Sequence, residues 1–321
     1  GGEQIEDRYI QCHSHDYGGH GTVDLSGALE KSCNDALMQI AAKEGITLFD
    51  KYQVLFGFGQ STNVDLPGEP SDSSLSGLVF HADNMGSVSL AISSFGQGVT
   101  TSMMQVGTAF CSAINGGYYY EPSVVQRIED ENGNIVQNLD PVLVRRTISE
   151  DVSAQMRQFL KNVVSEGTGK KAAVEGYEIG GKTGTAEKLP RGNGKYILSF
   201  IGFAPVDDPQ VVIYVVADEP ELQSGSGEAA HLFADIAEAI FPYLNIYKTD
   251  ETYDIDEATA EDEPATPIYG GEAPANDVAG GTDNPYVEQS EGETTTETTT
   301  EDPNATTEAP TQDTTQESPT G

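Results

Sequence analysis

The stretch Gly180-Gly181-Lys182-Thr183-Gly184-Thr185 decides how the rest of the chain is read. Counted from Gly176, it satisfies G-x-x-x-x-G-K-[ST], the phosphate-cradling loop of nucleotide hydrolases. Such a loop works only between a buried strand and a helix that starts at its lysine, so that the helix N-terminus faces the phosphates. Neither flank fits. Lys170-Lys171-Ala172-Ala173-Val174-Glu175 is too polar for a core strand, and Pro190, Gly192 and Gly194 stop any helix soon after Thr185. The second reading places Lys182 and Thr183 on the edge of a sheet strand, a cation and a hydroxyl facing a ligand that carries a carboxylate. Gly184 then leaves room for the ligand's backbone to lie against the strand.

A Lys-Thr-Gly strand gains meaning from a second motif, S-x-N, which is present as Ser32-Cys33-Asn34. Alone that triplet is weak, because serine and asparagine are ordinary helix N-caps. Ahead of Lys-Thr-Gly it is one part of the three-motif set, S-x-x-K, S-x-N and Lys-Thr-Gly, of serine enzymes that react with β-lactams.

Composition narrows the classes. The chain has 321 residues and a net charge of −36, which argues against nucleic acid and against attraction to anionic lipid. The charge is uneven: 20 of the 52 acidic residues and none of the 16 basic ones follow Lys248. The three cysteines, Cys12, Cys33 and Cys111, show no CxxC pair and no metal-ligand spacing, so neither a disulfide framework nor a zinc site is indicated. His13, His15 and His20 lie close together; metal binding is the alternative, but a loop containing Gly18, Gly19 and Gly21 holds no ligand geometry of its own, and the stretch reads as a surface loop. The longest apolar run, Val211 to Ala217, is far too short to span a bilayer. With no signal peptide, and opening Gly1-Gly2-Glu3, the chain reads as the continuation of something longer.

Periodicity places the elements. Helical patterns open at Thr22-Val23-Asp24-Leu25, with Leu25, Ala28 and Leu29 on one face, follow Asn34, and run from Leu48 to Phe56 and from Ser102 to Ile114. A hairpin is expected from Tyr118–Ile128 and a partner from Ile135, turning at Asn132-Gly133. Ser149 starts a helix with an apolar stripe of Val152, Met156, Phe159, Leu160, Val163 and Val164. Three strands follow, at 177–185, 197–203 and 211–216, and then a helix from Ser226 to about Tyr247 with Phe233, Ile236, Ala237, Ile240, Phe241 and Leu244 turned inward. From 249 to 321 threonine, acid and proline replace the aliphatics, so that segment is expected to be a disordered tail, with a Thr/Pro-rich stalk as the alternative.

Taken together, these residues resemble the transpeptidase domain of class B penicillin-binding proteins, especially the Gram-positive division and sporulation branch. The likeness runs over most of 9–247. Its blocks include His20-Gly21-Thr22-Val23-Asp24-Leu25, Lys31-Ser32-Cys33-Asn34, Asp65-Leu66-Pro67-Gly68-Glu69, Ser94-Phe95-Gly96-Gln97-Gly98, Glu166-Gly167-Thr168-Gly169-Lys170 and Gly181-Lys182-Thr183-Gly184-Thr185-Ala186. The tail lies outside it.

The resemblance implies an α/β (α+β) transpeptidase fold of the penicillin-binding protein/β-lactamase type, an antiparallel sheet flanked by helices, over residues 1–248. It implies acyl transfer on stem peptides ending in D-Ala-D-Ala, β-lactams as mimics of that donor, no cofactor and no metal. Lys182 and Thr183 would hold the donor carboxylate and Thr185 would lend its N–H to an oxyanion hole. Ser32 would pass a proton to the leaving amine, and Asn34 and Gly184 would line the peptide's path. Other cell-wall synthesis proteins would be partners, and the protein would sit on the outer face of a bacterial membrane through an anchor upstream of Gly1.

One departure stands out. No serine here has a lysine three positions later, so the S-x-x-K nucleophile and base are absent from these 321 residues. Gly1 falls where the family is some tens of residues past that motif, and the chain reads as a C-terminal portion of the domain. A carboxypeptidase or β-lactamase shares the remaining motifs, and a scaffold without a nucleophile is the reading outside enzymes.

Overall fold

A computed structural model describes residues 1–190, 192–221 and 227–249. The chain divides into two units, Gly1–Asp254 and Ile255–Gly321, and every described residue belongs to the first. Of the expected disordered tail, 249–321, only Thr249 is described, its N–H donating to the Gly176 carbonyl at 2.8 Å; the rest lies outside the described residues.

The chain begins with a short hairpin, β1 (Gly2–Ile5) and β2 (Arg8–Gln11), paired in antiparallel fashion. Three helices follow: α1 (Leu25–Glu30), α2 (Asn34–Glu44) and α3 (Ile46–Leu55). Asp24 caps α1 by accepting from the Gly27 N–H at 2.8 Å. Of the expected apolar face of α1, Ala28 is buried while Leu25 is exposed. Two short helices, α4 (Asp72–Ser76) and α5 (Ser87–Ser93), lead to α6 (Met103–Ile114). Ser102 and Gln105 cap α6 reciprocally, each side chain accepting the other residue's N–H.

The region 118–146 departs from the expected single hairpin. Strand β3 (Tyr118–Tyr120) does not join the arm that leads into the Asn132-Gly133 turn; β4 (Arg127–Glu129) pairs with β5 (Ile135–Asn138), and β3 pairs with β6 (Leu143–Arg146). Pro122 lies in the break between β3 and β4, where its ring removes a ladder donor. The turn was legible and the long-range pairing was not.

Helix α7 (Glu150–Ser165) is capped by Ser149 and buries Leu160, Val163 and Val164 as expected. Its first turn differs: Val152 is exposed, and Ser153 is buried with its hydroxyl donating to the Ala113 carbonyl. Then come β7 (Gly180–Glu187), β8 (Tyr196–Ala204) and β9 (Val211–Asp218), an antiparallel sheet ordered β7-β8-β9. Helix α8 (Gly227–Ile240) stops before Pro242, short of the expected Tyr247. Leu244, expected to face inward, is partly exposed beyond its end.

The sheet is covered on both faces, which is why β8 reads as a nearly unbroken apolar run. On one face Phe200 meets Phe233 of α8 edge-on, with ring centroids 4.9 Å apart, beside Ala229, Ala237 and Phe241. On the other, Phe203 packs against Ile114 of α6 and Leu160 of α7, with Phe110 edge-on at 5.9 Å. Burying a phenylalanine side chain is worth about 1.5–3 kcal/mol. This two-sided clamp therefore fixes the middle of the sheet, and β7 stands at its edge with one side unpaired among the described residues.

Candidate active site

The motif stretch lies wholly within β7, and no helix begins at Lys182. The phosphate-loop reading is thereby excluded. In register, Lys182 sits opposite Ile201, Thr183 opposite Phe200, Gly184 opposite Ser199 and Thr185 opposite Leu198. Because side chains alternate along a strand, Lys182 and Gly184 share one face and Thr183 and Thr185 the other. An edge strand also leaves alternate N–H groups without a partner, free to hydrogen-bond a ligand.

Ser32 reaches this strand from 150 residues away: the Lys182 ammonium donates to Ser32 Oγ. It donates also to the Thr183 carbonyl at 3.0 Å. Ser32 is not the helix cap that its residue type allowed. Cys33 holds the cap position of α2 without a side-chain cap bond, and Ser32 sits in the left-handed region at φ 47°. A non-glycine residue there costs about 1–3 kcal/mol. The surrounding turn holds it in place, with the Ser32 N–H donating to Leu29 and the Cys33 N–H to Ala28. Asn34, the first residue of α2, lines the same groove.

The groove has a volume of about 1830 Å³, and Ser32, Asn34, Lys182, Thr183, Gly184 and Thr185 all border it. The six sequence-predicted residues are therefore gathered in one place. Lys182 is partly buried on its wall, and desolvation lowers its pKa from 10.5 to about 8. An ammonium held this way is still mostly charged at neutral pH, yet yields a proton far more readily than a surface lysine. It can neutralise a carboxylate and exchange a proton with the Ser32 hydroxyl.

The structure adds residues that the motif reading did not single out. Thr168 Oγ1 lies 3.1 Å from Thr183 Oγ1, so the loop after α7 hydrogen-bonds the motif strand. The same loop grips α1, with the Thr168 N–H donating to the Glu30 carbonyl at 2.9 Å. A Cβ on Gly167 would lie 2.4 Å from that carbonyl oxygen, so only glycine allows the approach. Their sequence signal was the Glu166-Gly167-Thr168-Gly169 block. At Gly184 the structure supplies a steric reason beside the one first given: a Cβ there would meet Ser199 Oγ at 2.5 Å. Next to the groove, Cys12, His20 and Cys33 converge although they lie far apart in sequence.

Comparison with known proteins agrees with this geometry. The family model described as penicillin binding protein transpeptidase domain matches residues 1–238. The chain is 37% identical over 252 residues to stage V sporulation protein D of Bacillus subtilis, covering 77% of this chain and 38% of that protein. It is 29% identical over 204 residues to the probable peptidoglycan D,D-transpeptidase PenA of Neisseria meningitidis, covering 62% of this chain and 32% of PenA. Among solved structures, the transpeptidase domain of Burkholderia pseudomallei penicillin-binding protein 3 aligns with a TM-score of 0.67 and 28% identity, over 78% of this chain and 72% of that one. Penicillin-binding protein 3 of Mycobacterium tuberculosis, solved with ampicillin, gives 0.68 and 26% over 79% and 57%. The chain spans little more than a third of the length of the first curated relatives it matches. With its motif strand, its Ser32 contact and its fold all of one kind, the chain belongs to the penicillin-binding protein transpeptidase family.

Proposed function

We propose that this chain supplies the S-x-N and Lys-Thr-Gly half of a D,D-transpeptidase site that cross-links peptidoglycan stem peptides. The carrying observation is the hydrogen bond from Lys182 to Ser32 across 150 residues, made by an ammonium that burial holds near a pKa of 8. On this reading Lys182 and Thr183 receive the terminal carboxylate of the donor peptide, a charge-assisted contact. Thr185 contributes its N–H to the acyl oxyanion. Ser32, already bonded to Lys182, relays a proton to the departing D-alanine amine, and Asn34 holds the peptide alongside. Gly184 keeps the strand low so that the peptide lies against it.

The acyl step needs a nucleophilic serine activated by a neighbouring base, which these 321 residues do not contain in S-x-x-K form. That serine is supplied by the part of the domain carrying S-x-x-K, and the whole protein works on the outer face of the membrane, where the stem peptides are. Among the described residues no helix is long and apolar enough to cross a membrane. Ampicillin bound to the Mycobacterium tuberculosis relative supports β-lactams as ligands of the same groove.

The test uses the protein with its S-x-x-K segment. Fluorescent penicillin should label it covalently, and a stem peptide ending in D-Ala-D-Ala should release D-alanine when an acceptor amine is added. A folded protein that neither takes the label nor releases D-alanine refutes the reading. Release without any dipeptide cross-link would instead assign a carboxypeptidase.

A further inference from the structure

We propose that Cys12, His20 and Cys33 form a binding site for a thiophilic divalent cation, of which zinc is the type. The three lie 8 and 13 residues apart in sequence, a spacing that marks no known metal motif. Folding brings their ligand atoms within 4.8 Å of one another. Cys12 reaches the spot as the β1–β2 hairpin ends, His20 as the glycine-rich loop returns, and Cys33 at the start of α2. Both thiols are almost wholly buried, at 2% and 4% exposure, and remain free.

The spacing of the polar atoms suits a tetrahedral ion. Zinc bound at about 2.3 Å to sulfur and 2.0–2.1 Å to nitrogen has a sulfur–nitrogen edge of about 3.5 Å. Cys12 Sγ and His20 Nδ1 stand 3.6 Å apart. Ser14 is buried beside them, its Oγ 3.5 Å from Cys12 Sγ and 3.3 Å from His20 Nδ1. Its hydroxyl stands within reach of both ligand atoms, and it or a water would supply the fourth ligand of a tetrahedral ion. Two sulfurs and one imidazole are the donor set of a borderline-soft cation, not of calcium or magnesium. His13 stacks edge-on to His20 at 5.0 Å and donates from Nε2 to the Lys31 carbonyl, 3.0 Å away, and so fixes the ring's outer side. Binding replaces two S–H bonds by two metal–sulfur bonds and releases two protons, so affinity falls as pH falls.

The site is tied to the groove by position. Cys33 separates Ser32 from Asn34, so a cation holding its sulfur fixes the turn that keeps Ser32 at φ 47° against Lys182. This consequence for the groove rests on the proposed transpeptidase reading; the cation site itself does not.

The experiment titrates the reduced protein with cobalt(II) and follows the thiolate charge-transfer and tetrahedral visible bands, with zinc as the displacing ion. One cobalt per chain is expected. Cys12→Ser, Cys33→Ser and His20→Asn should each weaken binding by more than about 100-fold, the upper range for removing a mere outer-shell partner. Cys111→Ser, distant in α6, should leave the bands unchanged, and serves as the folded control if a ligand variant is unstable. Absence of the bands in reduced protein, or their survival in Cys12→Ser, overturns the site. Isolation of the protein with a Cys12–Cys33 disulfide that excludes cobalt until reduced and still shows no band afterwards overturns it in favour of redox chemistry. Penicillin labelling of the protein with its S-x-x-K segment separates the two proposals: cobalt bands without labelling of that protein keep the cation site and discard the transpeptidase, and labelling without bands does the reverse.

Discussion

Replacing Lys182 by methionine keeps the aliphatic stem and removes the ammonium, and two independent readouts then report on the groove. The first is stability against pH. The folded pKa of about 8 lies below the unfolded 10.5, so the protonated form is penalised by folding. That penalty is fully present below about pH 8 and is relieved as pH rises toward 10.5, because the unfolded chain binds more protons over that window. Wild-type stability should therefore rise across it. At 1.36 kcal/mol per pKa unit the ceiling is about 3 kcal/mol. Lys182 borders an open groove where water screens part of the effect, so about 1 kcal/mol is expected. For a domain of this size that is a Tm change of about 2–4 °C. Thermal unfolding of both proteins from pH 7 to 10.5 should show the wild-type gaining on Lys182→Met by that amount. Parallel curves would mean an ordinary solvated lysine. The second readout is acylation by penicillin in the protein with its S-x-x-K segment. Loss of one well-placed electrostatic group should slow it by about 10²–10³. Unchanged acylation in a folded Lys182→Met protein would remove the central residue of the mechanism.

Ser32→Ala should slow acylation by about 10²–10⁴, and the double variant with Lys182→Met should lose less than the product of the two, because one hydrogen bond joins them; strict additivity would separate their roles. Thr168→Val breaks the 3.1 Å contact with Thr183 and should lower the acylation rate measurably while stability stays within about 0.5 kcal/mol; a large loss of Tm would make Thr168 a packing residue only. Gly167→Ala should destabilise by about 1–3 kcal/mol, read by denaturant unfolding, since its Cβ would sit 2.4 Å from the Glu30 carbonyl. The 321 residues alone should take no covalent penicillin label on denaturing gels, and a mapped adduct on any of their serines would show that a nucleophile was overlooked.

Much of the molecule was legible in order. Apolar periodicity located α6, α7, β8 and β9 to within a few residues, because each buries one face or both against a neighbour, and the Lys-Thr-Gly motif located β7. The six residues that motif chemistry named all border the groove. The misses have two causes. Val152 and Leu25 lie in the first turns of helices and Leu244 beyond the end of α8, where the periodic stripe has run past the partner that would cover it. The pairing of β3 with β6 joins strands separated by the intervening hairpin, and nothing local in Tyr118–Tyr120 names Leu143–Arg146 as its partner.

The sequence by itself determined the class of the chain, since Ser32-Cys33-Asn34 and Lys182-Thr183-Gly184 carry residue types whose chemistry is local and whose order is fixed by the backbone. Only the tertiary structure decided what those residues do to one another. Lys182 owes its lowered pKa to burial, a property of the packed groove and not of any window of sequence. Ser32 becomes a hydrogen-bond partner of Lys182 and not a helix cap because the turn at Ala28–Cys33 turns its hydroxyl toward β7. Cys12, His20 and Cys33 form no linear pattern, and become a cluster because the hairpin, the loop and α2 end at one point. Composition and spacing record which groups a chain carries; desolvation and long-range proximity exist only once the chain has closed on itself.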